Sequence, residues 1–233
     1  MSFTEAEHYD RVWAEVDLDA ALYNMERMHQ NLKPGTKMAA VIKTDGYGHG
    51  ALRIAEKLEP LDYLWGYAVA TYEEACELRD GGMKKPILIL GYVFPYCYEG
   101  LAQKEIRPAC FREDMLEELS LAAGKAGKRI KVHIAVDTAM ARIGIRPDDS
   151  GLSFVKKALE TEGIEVEGIF THFSKADETA PENTFRQIRE FTEFCGRIEK
   201  ELGYRIPVQH CSNSAGLIRF PEANLDMVRA GIT

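Results

Sequence analysis

Eight short apolar runs, interleaved with longer segments that each show a single apolar face, constrain this chain more than any other feature. The runs occupy residues 38–43, 64–70, 86–92, 107–111, 131–137, 166–173, 208–214 and 225–232. Most are continuous rather than alternating, the pattern of parallel strands covered on both faces. Between them, apolar residues recur at steps of three and four. Leu18, Ala21, Leu22, Met25, Met28 and Leu32 form one such stripe, with Asp17 or Asp19 as its cap and Pro34-Gly35 as its stop. Similar stripes run through 50–59, 71–80, 112–123, 151–161 and 182–202, with a weaker one at 96–104. Alternation of this kind, repeated eight times in about 200 residues, predicts a parallel (β/α)8 barrel of the TIM type. A doubly wound open sheet is the alternative. An additional run at 12–18, VWAEVDL, alternates as a half-exposed strand does.

Composition narrows the function classes. Of 233 residues, 45% are hydrophobic and 28% charged, globular proportions that exclude a disordered chain, a collagen-like fibre and a coiled coil. A net charge of −8 argues against a general nucleic-acid or anionic-membrane binder, though not against a local basic pocket for a small anion. The cysteines are Cys76, Cys97, Cys110, Cys195 and Cys211. They are odd in number and include no C-x-x-C pair, so a reducing, cytoplasmic compartment is expected rather than a disulfide framework or zinc site. No secretory signal is read in residues 1–15, which carry charge where an apolar stretch belongs. The longest apolar stretch, 86–94, is too short to span a bilayer.

Active sites of such barrels lie at the carboxyl ends of the strands. Lys43 ends the first run and leads into Thr44-Asp45-Gly46-Tyr47-Gly48-His49-Gly50. Asp137 ends the fifth, ahead of Arg142, and His172 stands near the end of the sixth. His210, Asn213 and Ser214 close the seventh, and the eighth carries Arg229 and ends in Gly231-Ile232. Residues scattered along the sequence thereby converge on one mouth. A lone lysine is usually a solvated surface charge. At the end of M-A-A-V-I, its stem is expected to be buried, which favours the neutral amine that attacks carbonyls and forms Schiff bases. The glycines at 46, 48 and 50 are read as letting backbone approach a ligand.

Ser214 is placed to cap a short helix at 215–220, and the Gly231 and Ile232 amides would donate to the same anion. Barrels build phosphate sites of this kind after strands seven and eight. A Schiff-base lysine beside a phosphate cup points to pyridoxal 5'-phosphate, and also to a Schiff-base aldolase acting on a phosphorylated sugar. An inward arginine on the last strand, with no proton to give, would keep a facing pyridine nitrogen unprotonated and favour simple proton exchange at Cα. For Arg142 and Arg229 the bland alternative is a salt bridge within the barrel. His8 and His29 read as surface positions, His133 as a core residue, His49 as a local cap and Cys211 as a small buried apolar residue. No His/Cys grouping supports a metal.

The stretch A-V-I-K-T-D-G-Y-G-H-G (residues 40–50) resembles the cofactor-lysine motif of the alanine racemase family. D-T-A-M-A-R-I-G (137–144), T-H-F (171–173), N-S-A (213–215) and R-A-G-I (229–232) follow in that family's order and spacing, and W-A-E-V-D-L (13–18) matches its opening. The resemblance covers nearly all of the chain. It implies the N-terminal barrel of a fold-type III pyridoxal phosphate enzyme that interconverts L- and D-alanine and so supplies D-alanine for bacterial peptidoglycan. Lys43 would hold the cofactor and act as base on the D-enantiomer's side. Tyr47, Ser214 and the Gly231 and Ile232 backbone would take the phosphate, and Arg142 the phenolic oxygen. Arg229 would face the pyridine nitrogen with His172 behind it, and His210 and Asn213 would be pocket neighbours.

The resemblance also implies what lies outside this sequence. Family members continue into a β-rich domain whose tyrosine, the base on the L-enantiomer's side, enters the partner subunit's site in a homodimer. Residues 1–18 would be the strand segment that packs on that domain, leaving 19–233 as the barrel. The chain therefore reads as a piece of a longer racemase, with little or no turnover of its own. Many members have a lysine, often carbamylated, where this sequence has Ala135, so Arg142 lacks that partner. Two other readings stay open: a single-barrel protein that binds pyridoxal phosphate for homeostasis, and a racemase of another small amino acid such as serine.

Overall fold

Eight strands carry the architecture: β1 (Lys37–Val41), β2 (Leu64–Val69), β3 (Ile87–Ile89), β4 (Ile106–Cys110), β5 (Ile130–Ala135), β6 (Ile164–Phe170), β7 (Val208–His210) and β8 (Met227–Ala230). They come from a computed structural model that describes residues 12–232. Every ladder between them is parallel, in the order β7-β6-β5-β4-β3-β2-β1-β8. The remaining seam is spanned by backbone bonds from Asp226 N–H to Gln209 O (3.1 Å) and from Arg229 N–H to Ser212 O (3.0 Å). The sheet is thus a nearly closed (β/α)8 barrel. An open sheet would leave β7 and β8 as two bare edges, a hazard that closure removes.

The helices are α1 (Leu18–His29), α2 (Lys43–Gly48), α3 (Ala51–Leu58), α4 (Tyr72–Asp80), α5 (Tyr98–Lys104), α6 (Glu113–Ala126), α7 (Asp149–Glu160), α8 (Glu182–Leu202) and α9 (Ser214–Arg219). Asp17 caps α1, its carboxylate accepting from the Asp19 and Ala20 N–H groups. The weak stripe at 96–104 is a real helix, α5, entered through a single 3-10 turn at Pro95–Cys97.

Two expectations fail at the amino end. The helix α1 stops at His29, well before Pro34-Gly35, so Leu32 falls in the following turn. The strand expected at 12–18 does not form: residues 12–17 join no ladder, Leu18 opens α1, and Val12 and Trp13 are 81% and 71% exposed. Alternation prepares a strand, but only a neighbouring edge can complete its hydrogen bonds. His8 and the rest of 1–11 lie outside the described residues, as does Thr233.

Strand faces divide two environments. Ile130, Val132 and Ile134 of β5 face the helices and join one continuous apolar core. The alternate residues Lys131, His133 and Ala135 take the inner side of the barrel. That interior is polar toward its amino end. Near the carboxyl end it narrows to a small apolar cluster of Ala109, Ala135 and Phe170. Most apolar runs outlast their ladders, and the overhanging residues, such as 42–43, 171–173 and 211–214, build the mouth. Among the described residues no helix is long and apolar enough to cross a membrane.

Candidate cofactor site

The carboxyl ends of the strands enclose a cavity of about 990 Å³. All but one of the residues that the resemblance assigns to the site line it; His210 is fully buried behind Arg229 and does not. Lys43 and Tyr47 come from the end of β1, Arg142 and His172 follow β5 and β6, Asn213 and Ser214 follow β7, and Arg229, Gly231 and Ile232 belong to β8 and its exit. Phe170 and Met140 add apolar wall.

Lys43 opens α2, whose turn is left-handed. Thr44, Asp45, Gly46 and Tyr47 have φ of 55°, 51°, 61° and 56°. Each non-glycine residue held this way costs roughly 1–2 kcal/mol, and three of these four are not glycine. Hydrogen bonds from several directions offset that cost. Gly46 N–H reaches Ile42 O at 2.9 Å and Gly50 N–H reaches Asp45 O at 2.9 Å. The Asp45 carboxylate accepts from Ala51 N–H at 2.8 Å, and the Glu74 carboxylate accepts from Thr44 N–H at 2.8 Å. His49 Nδ1 lies 3.0 Å from Gly46 O, the local cap expected of it. The turn brings Lys43 Nζ to 5.8 Å from the centre of the Tyr47 ring. Gly46, Gly48 and Gly50 have φ of 61°, 84° and 86°, the left-handed region that glycine enters without steric cost.

At another wall, donors converge. Ser214 was expected to cap the helix after β7, but Asn213 does so, its Oδ1 accepting from Gly216 N–H at 2.9 Å. Asparagine caps as well as serine, and Ser214 is thereby released. Its Oγ accepts instead from Gly231 N–H (3.0 Å) and Ile232 N–H (3.2 Å). The Tyr47 hydroxyl would lie 3.0 Å from a Cβ placed on Gly231, so it belongs to the same cluster. Burial raises the Tyr47 phenol above its ordinary range and keeps it a donor.

Arg229 is 2% exposed, and both of its terminal nitrogens are engaged. Its Nη1 meets His210 Nδ1 at 2.8 Å and donates to His210 O at 3.2 Å. Its Nη2 donates to Thr171 O at 2.7 Å and Cys211 O at 3.1 Å. These partners are carbonyls and an imidazole rather than the salt-bridge carboxylate. Burial pulls the guanidinium down to about 10, which still leaves it charged at neutral pH. The histidine hydrogen-bonded to Arg229 is His210, whereas the resemblance placed His172 behind it.

A guanidinium only donates, so His210 Nδ1 must accept and His210 Nε2 must carry the proton. His210 Nε2 then donates to His133 Nδ1 at 2.8 Å, and His133 Nε2–H points to Glu167 Oε2 at the longer distance of 3.4 Å. Glu167 also accepts from Arg107 Nε at 3.0 Å and Lys131 Nζ at 2.8 Å. Burial pushes both imidazoles down and keeps them neutral. Burial works to raise Glu167, but hydrogen bonds from His133, Arg107 and Lys131 outweigh it and hold the carboxyl well below its usual range. A directional chain thus runs from the mouth through the barrel interior. His172 faces the cavity; burial first, then the charges of Arg229, Arg142 and Lys43, hold it neutral with a pKa of about 3.

Arg142 is exposed at the rim and, among the described residues, has no carboxylate partner. Ala135 lies in the apolar interior cluster. Cys211 is buried, as read, with its thiol pushed up to about 12 by that burial. All five cysteines are free, and no grouping among the described residues fits a metal ion. Sequence reasoning passed over Glu74 and Glu167. The signal for the first was the T-Y-E-E spacing at 71–74, and for the second the alternation of Glu165 and Glu167 in β6.

An amine and a polar cup thus share the mouth of a (β/α)8 barrel. Residues 16–233 match the alanine racemase N-terminal domain, and the chain belongs to that family. Alanine racemase 1 of Oceanobacillus iheyensis is 40% identical over 228 residues, 97% of this chain and 59% of that protein. An alanine racemase of Clostridium perfringens is 43% identical over 221 residues, 95% of this chain and 56% of the relative. Among solved structures, the alanine racemase of Clostridium difficile 630 in complex with cycloserine superposes with a TM-score of 0.91 at 34% identity, covering 96% of this chain and 62% of that one. The Bacillus anthracis alanine racemase with bound L-Ala-P gives 0.88 at 32% identity, covering 97% and 58%. The chain therefore spans about three fifths of the length of these relatives.

Proposed function

We propose that this chain is the pyridoxal-phosphate-binding barrel of a racemase that interconverts L-alanine and D-alanine. The observation that carries the proposal is the presence, in one cavity, of Lys43 and of the donor cluster made by Tyr47, Ser214, Gly231 and Ile232. The donor set fits the group. Hydroxyls and backbone amides suit a phosphate, and Lys43 Nζ suits its aldehyde. Arg229 suits the pyridine nitrogen, and Arg142 the phenolic oxygen. The chemistry such a group supplies is electron withdrawal that acidifies the Cα proton of a bound amino acid.

The chain's own residues do the rest. Lys43 Nζ would hold the group and, once the amino group of the substrate displaces it, would take or return the Cα proton on the D-enantiomer's side. Arg229, held charged by carbonyls and His210, donates a hydrogen bond without yielding a proton, which limits electron withdrawal to what proton exchange needs. His172, neutral, walls the cavity without adding a further cation beside Arg229, Arg142 and Lys43. Phe170 and Met140 give the cavity an apolar wall. The proposal assigns the second base to a tyrosine beyond the matched region, in a homodimer, and so expects little or no racemisation from these residues alone.

The test is to add pyridoxal phosphate, reduce with borohydride and map the modified peptide by mass spectrometry. A pyridoxyl group on Lys43, absent from Lys43→Ala, is the expected result. Label retained in that variant, or found on another lysine, overturns the assignment. Assaying the longer protein with L-alanine and L-serine decides between substrates, and turnover by the 233-residue chain at the longer protein's rate would refute the second-base assignment.

A further inference from the structure

Glu74 does not line the cavity, yet it touches the element that aims two cavity residues. It sits in the first turn of α4, where T-Y-E-E has the spacing of a capping box. Thr71 plays its part, accepting the Glu74 N–H at 3.3 Å. In such a box the glutamate turns back onto the cap's own N–H. Glu74 is diverted. Its Oε2 accepts from Ala70 N–H at 2.7 Å, and its Oε1 accepts from Thr44 N–H at 2.8 Å, thirty residues away in sequence. One carboxylate thus ties the exit of β2 to the residue directly after Lys43. Thr44 is β-branched with φ 55°, a conformation such residues avoid. Strained backbone of this kind persists only where its surroundings over-determine it. The Asp45–Ala51 and Gly50–Asp45 bonds secure the far end of the turn, while Glu74 secures its entry.

We propose that Glu74 is a positioning residue: it locks the left-handed turn and thereby sets where Lys43 and Tyr47 stand in the cavity. Its consequence for cofactor rests on the pyridoxal phosphate reading, whereas its hold on the turn does not. The test compares Glu74→Gln with Glu73→Gln, which removes the same charge from the same helix turn without touching Thr44. In Glu74→Gln the amide NH2 must face one of two N–H donors, so one bond is lost.

The expected result is that the Thr44 and Gly46 amides exchange about tenfold faster or more, the scale of a charged hydrogen bond. The dissociation constant for pyridoxal phosphate should rise about tenfold for the same reason. Exchange in β5 and β6 stays as in the parent, and Glu73→Gln matches the parent throughout. Unchanged Thr44 exchange overturns the proposal, as does unchanged cofactor affinity. Loss of protection across β5 and β6 overturns it in favour of a general structural role. Should the parent chain take up no pyridoxal phosphate, the functional reading fails, and the exchange data alone decide whether Glu74 holds the turn.

Discussion

Acidification should weaken this fold in a way that one histidine can report. His172 ordinarily would titrate near 6.5, but burial chiefly, and then the charges of Arg229, Arg142 and Lys43, hold it to about 3 in the folded chain. Its folded pKa lies below its unfolded one, so in the window between them the unfolded chain binds the extra proton. Stability is therefore full above the unfolded value and is lost as the pH falls toward the folded one. From about pH 7 to about pH 4.5 the window spans roughly 2 units, each worth about 1.36 kcal/mol. Discounted for the partial exposure of His172 at the cavity wall, its share is about 2 kcal/mol. Burial pushes His133 and His210 the same way, so the total acid loss of the parent chain is larger. The variant His172→Gln isolates one share: over that interval, its urea-derived stability should fall by about 2 kcal/mol less than the parent's, at equal m. NMR titration of the parent should show the His172 ring still neutral at about pH 4.5. A ring that titrates near its ordinary value, or identical pH dependence in the two proteins, would refute the reasoning.

Ser214→Ala removes a hydroxyl donor from the proposed phosphate cluster, and pyridoxal phosphate should bind about tenfold more weakly by absorbance titration. A Cβ on Gly168 would fall 2.4 Å from His133 Nδ1. Gly168→Ala should therefore displace that ring, cost about 1–3 kcal/mol in urea unfolding, and change the imidazole nitrogen shifts of both His133 and His210. Glu167→Gln takes the carboxylate from Arg107, while Lys131 keeps Glu165 at 3.4 Å, and should destabilise the chain by about 2 kcal/mol. A loss under about 1 kcal/mol would mean that solvent at the barrel's amino end screens the pair.

Strand and helix positions were legible because each rests on local periodicity, and several apolar runs were unbroken where small residues such as Ala109 and Ala135 face the barrel interior between the Val, Ile and Leu of the outer face. The site residues were legible as well, since a barrel delivers the ends of its strands to one mouth whatever their separation. Other features were not. The run at 12–18 has the alternation of a strand but finds no edge to pair with. Ser214 and Asn213 are both good caps, and which one serves decides whether the serine hydroxyl is left for the Gly231 and Ile232 amides. Local sequence does not distinguish them.

The order of strands, the helical stripes and the gathering of Lys43, Arg142, Ser214 and Arg229 at one end follow from short-range pattern, because hydrophobic periodicity and a parallel barrel's geometry leave few alternatives. The handedness of the turn after Lys43, the tautomers of His210 and His133, and the diversion of Glu74 were decided by the assembled fold. Each depends on a hydrogen bond between residues far apart in the chain: thirty residues for Glu74 and Thr44, seventy-seven for His133 and His210. A strained backbone or a buried imidazole takes its state from whichever partner the packed barrel brings within reach.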